Sequence, residues 1–449
     1  MSTPANTEKT STTSKTSRFA LDGDTTCFLE DSNAIPLVSI VVALRSGSAA
    51  DPDDKSGLAR VTARMLRRGC AGLKSHEIEE AIDSLGAEMA VDTSSSSVAV
   101  HAQVIERNLE PFIDLLGRLL ATPTFSIDEL ERLKRESIAE IIESRDNDRV
   151  VAQKAFQRTM FAGHPYGKNP GGTTTSIAGI GLDDVLAFWK RHFVRGNIVI
   201  GFAGDVRDSR APALAERLLA KLPRGPRVPD TVRPPGKLHG RRLLFVDKPE
   251  RTQTQILIGG IGTSAHDDDH VALTVGNAVF GGTFTSRLMK EVRSERGWSY
   301  GASSRLSIDR QRQSFSVSTF PGAEDAAPCL ALEIELLESF VTKGATEDEI
   351  SFIKQYLTRS HAFDIDTATK RLHQALDVEL LSLPADYFSG WVEKVSAVTA
   401  ETANRAVRDR ISLDDQLFVV VGTASQLEEA IRGAVPRLAS HEIVPFDRE

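Results

Sequence analysis

Three element types recur in one order at nearly one spacing, and this recurrence limits the possible folds more than any other feature of the chain. The buried-strand signal SIVVAL at Ser39 returns as QILIGG at Gln255, 216 residues later. The capping box Ser126-x-x-Glu129, which opens a long helix, returns as Thr346-x-x-Glu349, 220 residues later. An apolar strand ending in Gly204 returns as one ending in Gly422, 218 residues later. One such match arises by chance; three in register imply a tandem duplication.

Within each copy, strands and helices do not alternate strictly. In the first, Leu37–Leu44 and 88–104 read as strands, 109–120 and 126–144 as helices, and 198–203 as a strand again. That order predicts an α+β fold of two homologous domains, each a mostly antiparallel or mixed sheet with helices packed on one face. Prolines 223, 226, 229, 234 and 235 mark a stiff connector between the copies. The expected units are therefore 18–222 and 241–449, joined by a 223–240 linker. A Ser/Thr/Lys-rich stretch, 1–17, is expected to be a disordered tail.

Acidic side chains outnumber basic ones, 62 to 54, for a net charge of −8. A general nucleic-acid binder needs a basic footprint and is excluded. No segment approaches the roughly 20 apolar residues of a membrane helix, and no membrane partner is expected. The N-terminal stretch has no apolar core of a secretory signal, so the expected location is cytoplasmic. Cys27, Cys70 and Cys329 are lone thiols, which suits a reducing compartment and gives no zinc-ribbon spacing.

The stretch richest in chemistry is Ser286–Tyr300, SRLMKEVRSERGWSY, entered through Phe280-Gly281-Gly282. Leu288, Met289 and Val292 have helical spacing, and Gly297 fits the position just past a helix end. Trp298, Tyr300 and Ala302 then alternate as on a strand with one buried face. Arg293 falls in the last helical turns and Tyr300 early in that strand. The reversal can bring a guanidinium and a phenol to one cleft, where two donors could hold a peptide carbonyl. The plain alternative is a surface charge and a core ring.

Two such copies with R-x6-Y after a Gly-rich segment resemble the pitrilysin and mitochondrial processing peptidase family. The resemblance spans roughly residues 20–440. It is carried by SIVVALRSGSAADPDDKSGLARVTARML from Ser39, HPYG at His164–Gly167 and SRLMKEVRSERGWSYGASS from Ser286. In that family an inverted zinc motif, H-x-x-E-H, lies on the helix after the first strand, and a distant Glu completes the ligand set. Here the three motif positions are Arg60, Ala63 and Arg64, and Glu140 stands near the distant position. Arginine presents only N–H donors and repels a cation, and alanine presents nothing. One carboxylate cannot hold the metal, so no metal or cofactor is expected in this chain.

The resemblance implies a substrate-binding subunit of a heterodimeric zinc endopeptidase, inactive alone. Its partner would be a homologous chain with an intact H-x-x-E-H that brings zinc, and peptides would be cleaved in an enclosed chamber. Arg293 and Tyr300 would hold the substrate backbone, and the segment Phe280–Thr285 would border the peptide, chiefly through Phe280, Gly281, Gly282 and Thr283. Tight helix–sheet packing explains the two glycines equally well. The alternative is a purely structural core subunit, and a third reading is a self-sufficient enzyme with an unrecognised site. His76 with Glu80, and Asp267-Asp268-Asp269-His270, lack ligand spacing with a third partner. Arg60, Arg64, Arg67 and Arg68 form a basic helix face, while Glu136, Glu140 and Glu143 share a face of the Ser126 helix. If the emptied motif has become an ion-pair cluster, Arg60 or Arg64 should pair with one of these carboxylates.

Overall fold

Runs of β-branched and aromatic residues build two six-stranded sheets, one from each copy. The computed structural model describes residues 16–21 and 25–449. The first half contains β1 (Ser17–Leu21), β2 (Thr25–Asp31), β3 (Leu37–Leu44), the tiny hairpin β4 (Gly69–Cys70) and β5 (Leu73–Lys74), then β6 (Glu88–Thr93), β7 (Val98–Ile105) and β8 (Ile198–Gly204). The second contains β9 (Arg241–Asp247), β10 (Gln255–Ile261), β11 (Ala302–Leu306), β12 (Ser314–Thr319), β13 (Leu417–Gly422) and β14 (Leu438–Pro445). The sheet orders are β6-β7-β3-β8-β2-β1 and β11-β12-β10-β13-β9-β14. Five strands correspond one to one. Only the outermost differs: β1 is antiparallel to β2, whereas β14 is parallel to β9. The β2–β8 and β9–β13 pairs are parallel and the inner neighbours antiparallel, so both sheets are mixed, as the element order predicts.

Each half packs most of its helices on one face of its own sheet. The 58–65, 109–121 and 127–143 helices do so in the first half, and the 270–277 and 326–343 helices in the second. The opposite face is where sequence reasoning fell short, because one helix of each copy crosses over. The first half's helix Asp148–Met160 lies on β10 and β13, burying Val151, Ala152, Ala155 and Phe156. The second half's helix Ala368–Leu380 lies on β8 and β2, burying Leu372, Leu376 and Leu380. These are the same element of the repeat, 13 residues long in both copies. Two-sided cover explains why β3 and β13 read as nearly continuous apolar runs.

Glycines make the exchange fit. A Cβ on Gly201 would meet Leu372 Cδ1 at 2.7 Å, and one on Gly259 would meet Phe156 Cζ at 2.8 Å. Each central strand thus carries a notch for the visiting helix. Full burial of each such leucine or phenylalanine contributes about 1.5–3 kcal/mol. Arg45 pairs with Glu379 at 2.7 Å and Arg371 with the buried Glu30 at 2.9 Å, fixing the visiting helix to its host sheet.

Between Leu219 and Arg241 the chain forms no helix or strand. Of the expected tail, residues 1–15 lie outside the described residues, and Ser17 already begins β1. No described helix is long and apolar enough to cross a membrane.

Candidate functional site

The helix that would carry the metal motif starts abruptly. Gly57 takes φ +93°, and the buried Asp51 carboxylate accepts hydrogen bonds from the Gly57 and Ala59 N–H groups at 2.8 and 2.9 Å. Burial pushes the Asp51 carboxyl up to about 7, against the lowering effect of these bonds. Leu58, Val61, Ala63 and Met65 turn into the core, which leaves Arg60 and Arg64 side by side toward the 127–143 helix.

Both arginines converge on one carboxylate. Arg60 donates to Glu140 at 3.1 Å, and Arg64 makes a two-pronged contact with its oxygens at 2.7 and 2.9 Å. Arg64 also reaches the Ser137 hydroxyl at 3.2 Å. Burial works against the Glu140 charge, but the bonds from Arg64 and Arg60 prevail and hold its carboxyl below the ordinary value. Arg68 pairs with Glu136 and Arg67 with Glu79, while Glu143 is exposed. Together with Arg132, these arginines line a cavity of about 510 Å³. The motif positions are therefore an ion-pair cluster, with Ala63 sealed at 0% exposure. This donor set does not fit zinc, because the one carboxylate within reach is engaged by two permanent cations.

Among the described residues no group of three or more His, Cys, Asp and Glu is arranged to hold a metal ion. The Asp267–His270 run is consumed by structure: Asp267 pairs with Arg312 at 2.6 Å, and buried His270 meets the Tyr387 hydroxyl at 2.9 Å. If the loss at the motif is a matter of residue identity alone, the triple change Arg60→His, Ala63→Glu, Arg64→His, with Glu140 retained, should take up about one zinc per chain by atomic absorption. The parent should take up none. No uptake by a folded triple variant would mean that the two helices do not sit at ligand spacing.

The Arg293/Tyr300 stretch departs from its expected form. Helical turns, wider than α from Met289 on, run to Glu295, and Gly297 follows at φ +68°. The strand begins only at Ala302, so Tyr300 is not on it. Ser299 is the buried residue of the pair and donates from its hydroxyl to the Gly301 carbonyl at 2.7 Å. This turn throws the Tyr300 ring outward, 82% exposed. Arg293 is half-buried and stacks on Phe284, its guanidinium carbon 4.8 Å from the ring centroid. Neither the Arg293 guanidinium nor the Tyr300 hydroxyl has a hydrogen-bond or ion-pair partner among the described residues.

The Gly-rich entry divides. Phe280 is fully buried and stacks on Phe340 with centroids 5.0 Å apart, so it has no surface to offer a peptide. A Cβ on Gly281 would meet Ser304 Oγ at 2.5 Å, which makes this glycine a helix–sheet packing residue. Thr283 is buried, and its hydroxyl donates to the Ala278 carbonyl at 3.2 Å. Gly282 is exposed, as is Phe284 at 70%. Phe284 lies inside the 280–285 segment expected to border the peptide and is its most exposed large side chain.

A duplicated α+β frame with crossed helices and a guanidinium cluster at an inverted zinc motif defines a relative of the zinc peptidases. The insulinase (peptidase family M16) profile matches residues 27–174, and the peptidase M16 inactive domain profile matches residues 179–357. The chain belongs to this family. Among its relatives is the non-peptidase homolog YmxG of Helicobacter pylori, 22% identical over 87% of this chain and 90% of that one. An uncharacterized zinc protease of Mycobacterium leprae is 27% identical over 75% of this chain and 76% of that one. In structure, the peptidase M16 inactive domain from Pseudomonas fluorescens superposes with a TM-score of 0.85 at 24% identity, over 91% of this chain and 98% of that one.

Proposed function

We propose that this chain is the non-zinc, substrate-holding subunit of a heterodimeric zinc endopeptidase that cleaves peptides in a chamber shared with a homologous, zinc-bearing partner. The observation that carries this reading is the engagement of Glu140 by both Arg60 and Arg64, which leaves the motif positions with no donor set for zinc. The partner supplies zinc and the general base. This chain supplies donors: the exposed Tyr300 hydroxyl to an oxyanion developing on the substrate carbonyl, and Arg293 to a neighbouring carbonyl. Gly282 borders the peptide, with Phe284 at its side. The buried, unpaired Cys27, Cys70 and Cys329 suit a reducing compartment, and we place the pair in the cytoplasm.

The test is reconstitution with a homologous chain that carries H-x-x-E-H. Each chain alone should cleave an internally quenched peptide slowly or not at all, and the mixture should be active and chelator-sensitive. A mixture no more active than the zinc chain alone would leave this chain a structural role.

A further inference from the structure

A cavity of about 600 Å³ lies between the two halves, and the chain's own segment 446–449 forms part of its wall. The contacts there are directional. Arg145 pairs with the Glu449 side-chain carboxylate at 2.9 Å. The Thr174 N–H and hydroxyl both donate to its other oxygen at 2.7 Å. Arg158 donates to the Arg448 carbonyl at 2.8 Å, and the Phe446 N–H donates to the Asp247 carbonyl at 3.1 Å. Lys248 Nζ stands 5.6 Å from the centroid of the Phe446 ring.

Charge explains the fit. Without 446–449, the ionisable groups lining the cavity are Arg145, Lys154, Arg158 and Lys168 against Asp309 alone. The segment brings in Asp447 and Glu449, and also Arg448, which pairs with Glu442. Lys154 feels the charges of Glu449, Arg145 and Arg60. Lys168 is paired with Asp53 at 2.9 Å, but Arg145, Lys154 and Arg158 have no carboxylate partner outside the segment among the described residues. Such cations are costly to leave half-buried, so the cleft favours an anionic occupant.

We propose that this interdomain cleft is a binding site for acidic peptide segments, with a carboxylate seat formed by Arg145 and Thr174, and that residues 446–449 are a built-in competitor for it. A peptide enters by displacing that segment. The inference rests on the proposed function only in taking the occupant to be a peptide, and its test needs neither partner nor turnover. Failure of reconstitution leaves it standing, and its own failure leaves reconstitution untouched.

The probe is a dye-labelled, carboxy-amidated peptide matching residues 445–449, read by fluorescence anisotropy. A chain ending at residue 445 should bind it at least ten-fold more tightly than the full chain. A peptide with Gln for its Glu should lose about ten-fold, as should Arg145→Ala in the shortened chain. Should the shortened chain fail to fold, full-length Glu449→Gln, which loosens the seat without removing Phe446, should still bind the parent peptide more tightly than the full chain does. Equal binding to the full chain and to whichever variant is folded, or indifference to the Glu-to-Gln change in the peptide, overturns the proposal.

Discussion

Replacing Tyr300 with phenylalanine should lower turnover of the proposed reconstituted pair by about 10²-fold or more. The substitution removes one hydroxyl and keeps the ring. Because the side chain is 82% exposed and its hydroxyl has no partner among the described residues, the fold loses nothing with it. An oxyanion donor acts mainly in the transition state, so the loss should fall on kcat with KM little changed. Steady-state kinetics of the reconstituted pair, with melting temperature as a control, read this directly. An unchanged kcat would remove Tyr300 from the chemistry and leave the exposed ring as a contact surface.

The second large effect concerns stability. Glu333 sits on the 326–343 helix at 1% exposure, in the core of the second half. Burial pushes its carboxyl up to about 8, and the Thr319 hydroxyl offsets only part of the rise. The folded state thus holds this proton more tightly than the unfolded chain, whose Glu titrates near its ordinary value of 4.5. Stability is fully present below that value, falls as pH rises toward 8, and is flat above. Every tenfold gain in proton affinity on folding corresponds to about 1.4 kcal/mol, so the total is several kcal/mol. Glu333→Gln is isosteric and cannot ionise. Urea unfolding at pH 5 and pH 9 should show the pH-dependent loss shrinking by about 3–4 kcal/mol in the variant. Equal losses in parent and variant would place the titration elsewhere, Asp51 being the next candidate, with a carboxyl raised to about 7.

The repeat and the mixed sheets were legible because local signals carry them: strand composition and capping boxes. The arginine–glutamate pairing spans two helices far apart in sequence and was legible only through the family resemblance, since a basic helix face by itself reads as a solvated one. The crossed helices were not legible. Val151, Ala155 and Phe156 announce an apolar face, but nothing in a linear pattern names the sheet that face will meet. Tyr300 misled for a different reason. The alternation of Trp298, Tyr300 and Ala302 mimics a strand, whereas the Ser299 hydroxyl satisfies backbone groups on both sides, at Gly301 and Phe320, and keeps the segment as a turn. Phe280 looked like a cleft residue because glycines follow it, yet Gly281 lets the helix close onto β11. Residues 446–449 gave no signal at all, since four residues of mixed character acquire meaning only from the cations around them.

Without the helix lent by the other half, Val41, Ala43 and Val199 would be bare to water, so each half depends on its neighbour for cover. A nick anywhere in 223–240 would therefore sever the peptide bond yet leave the two pieces interlocked.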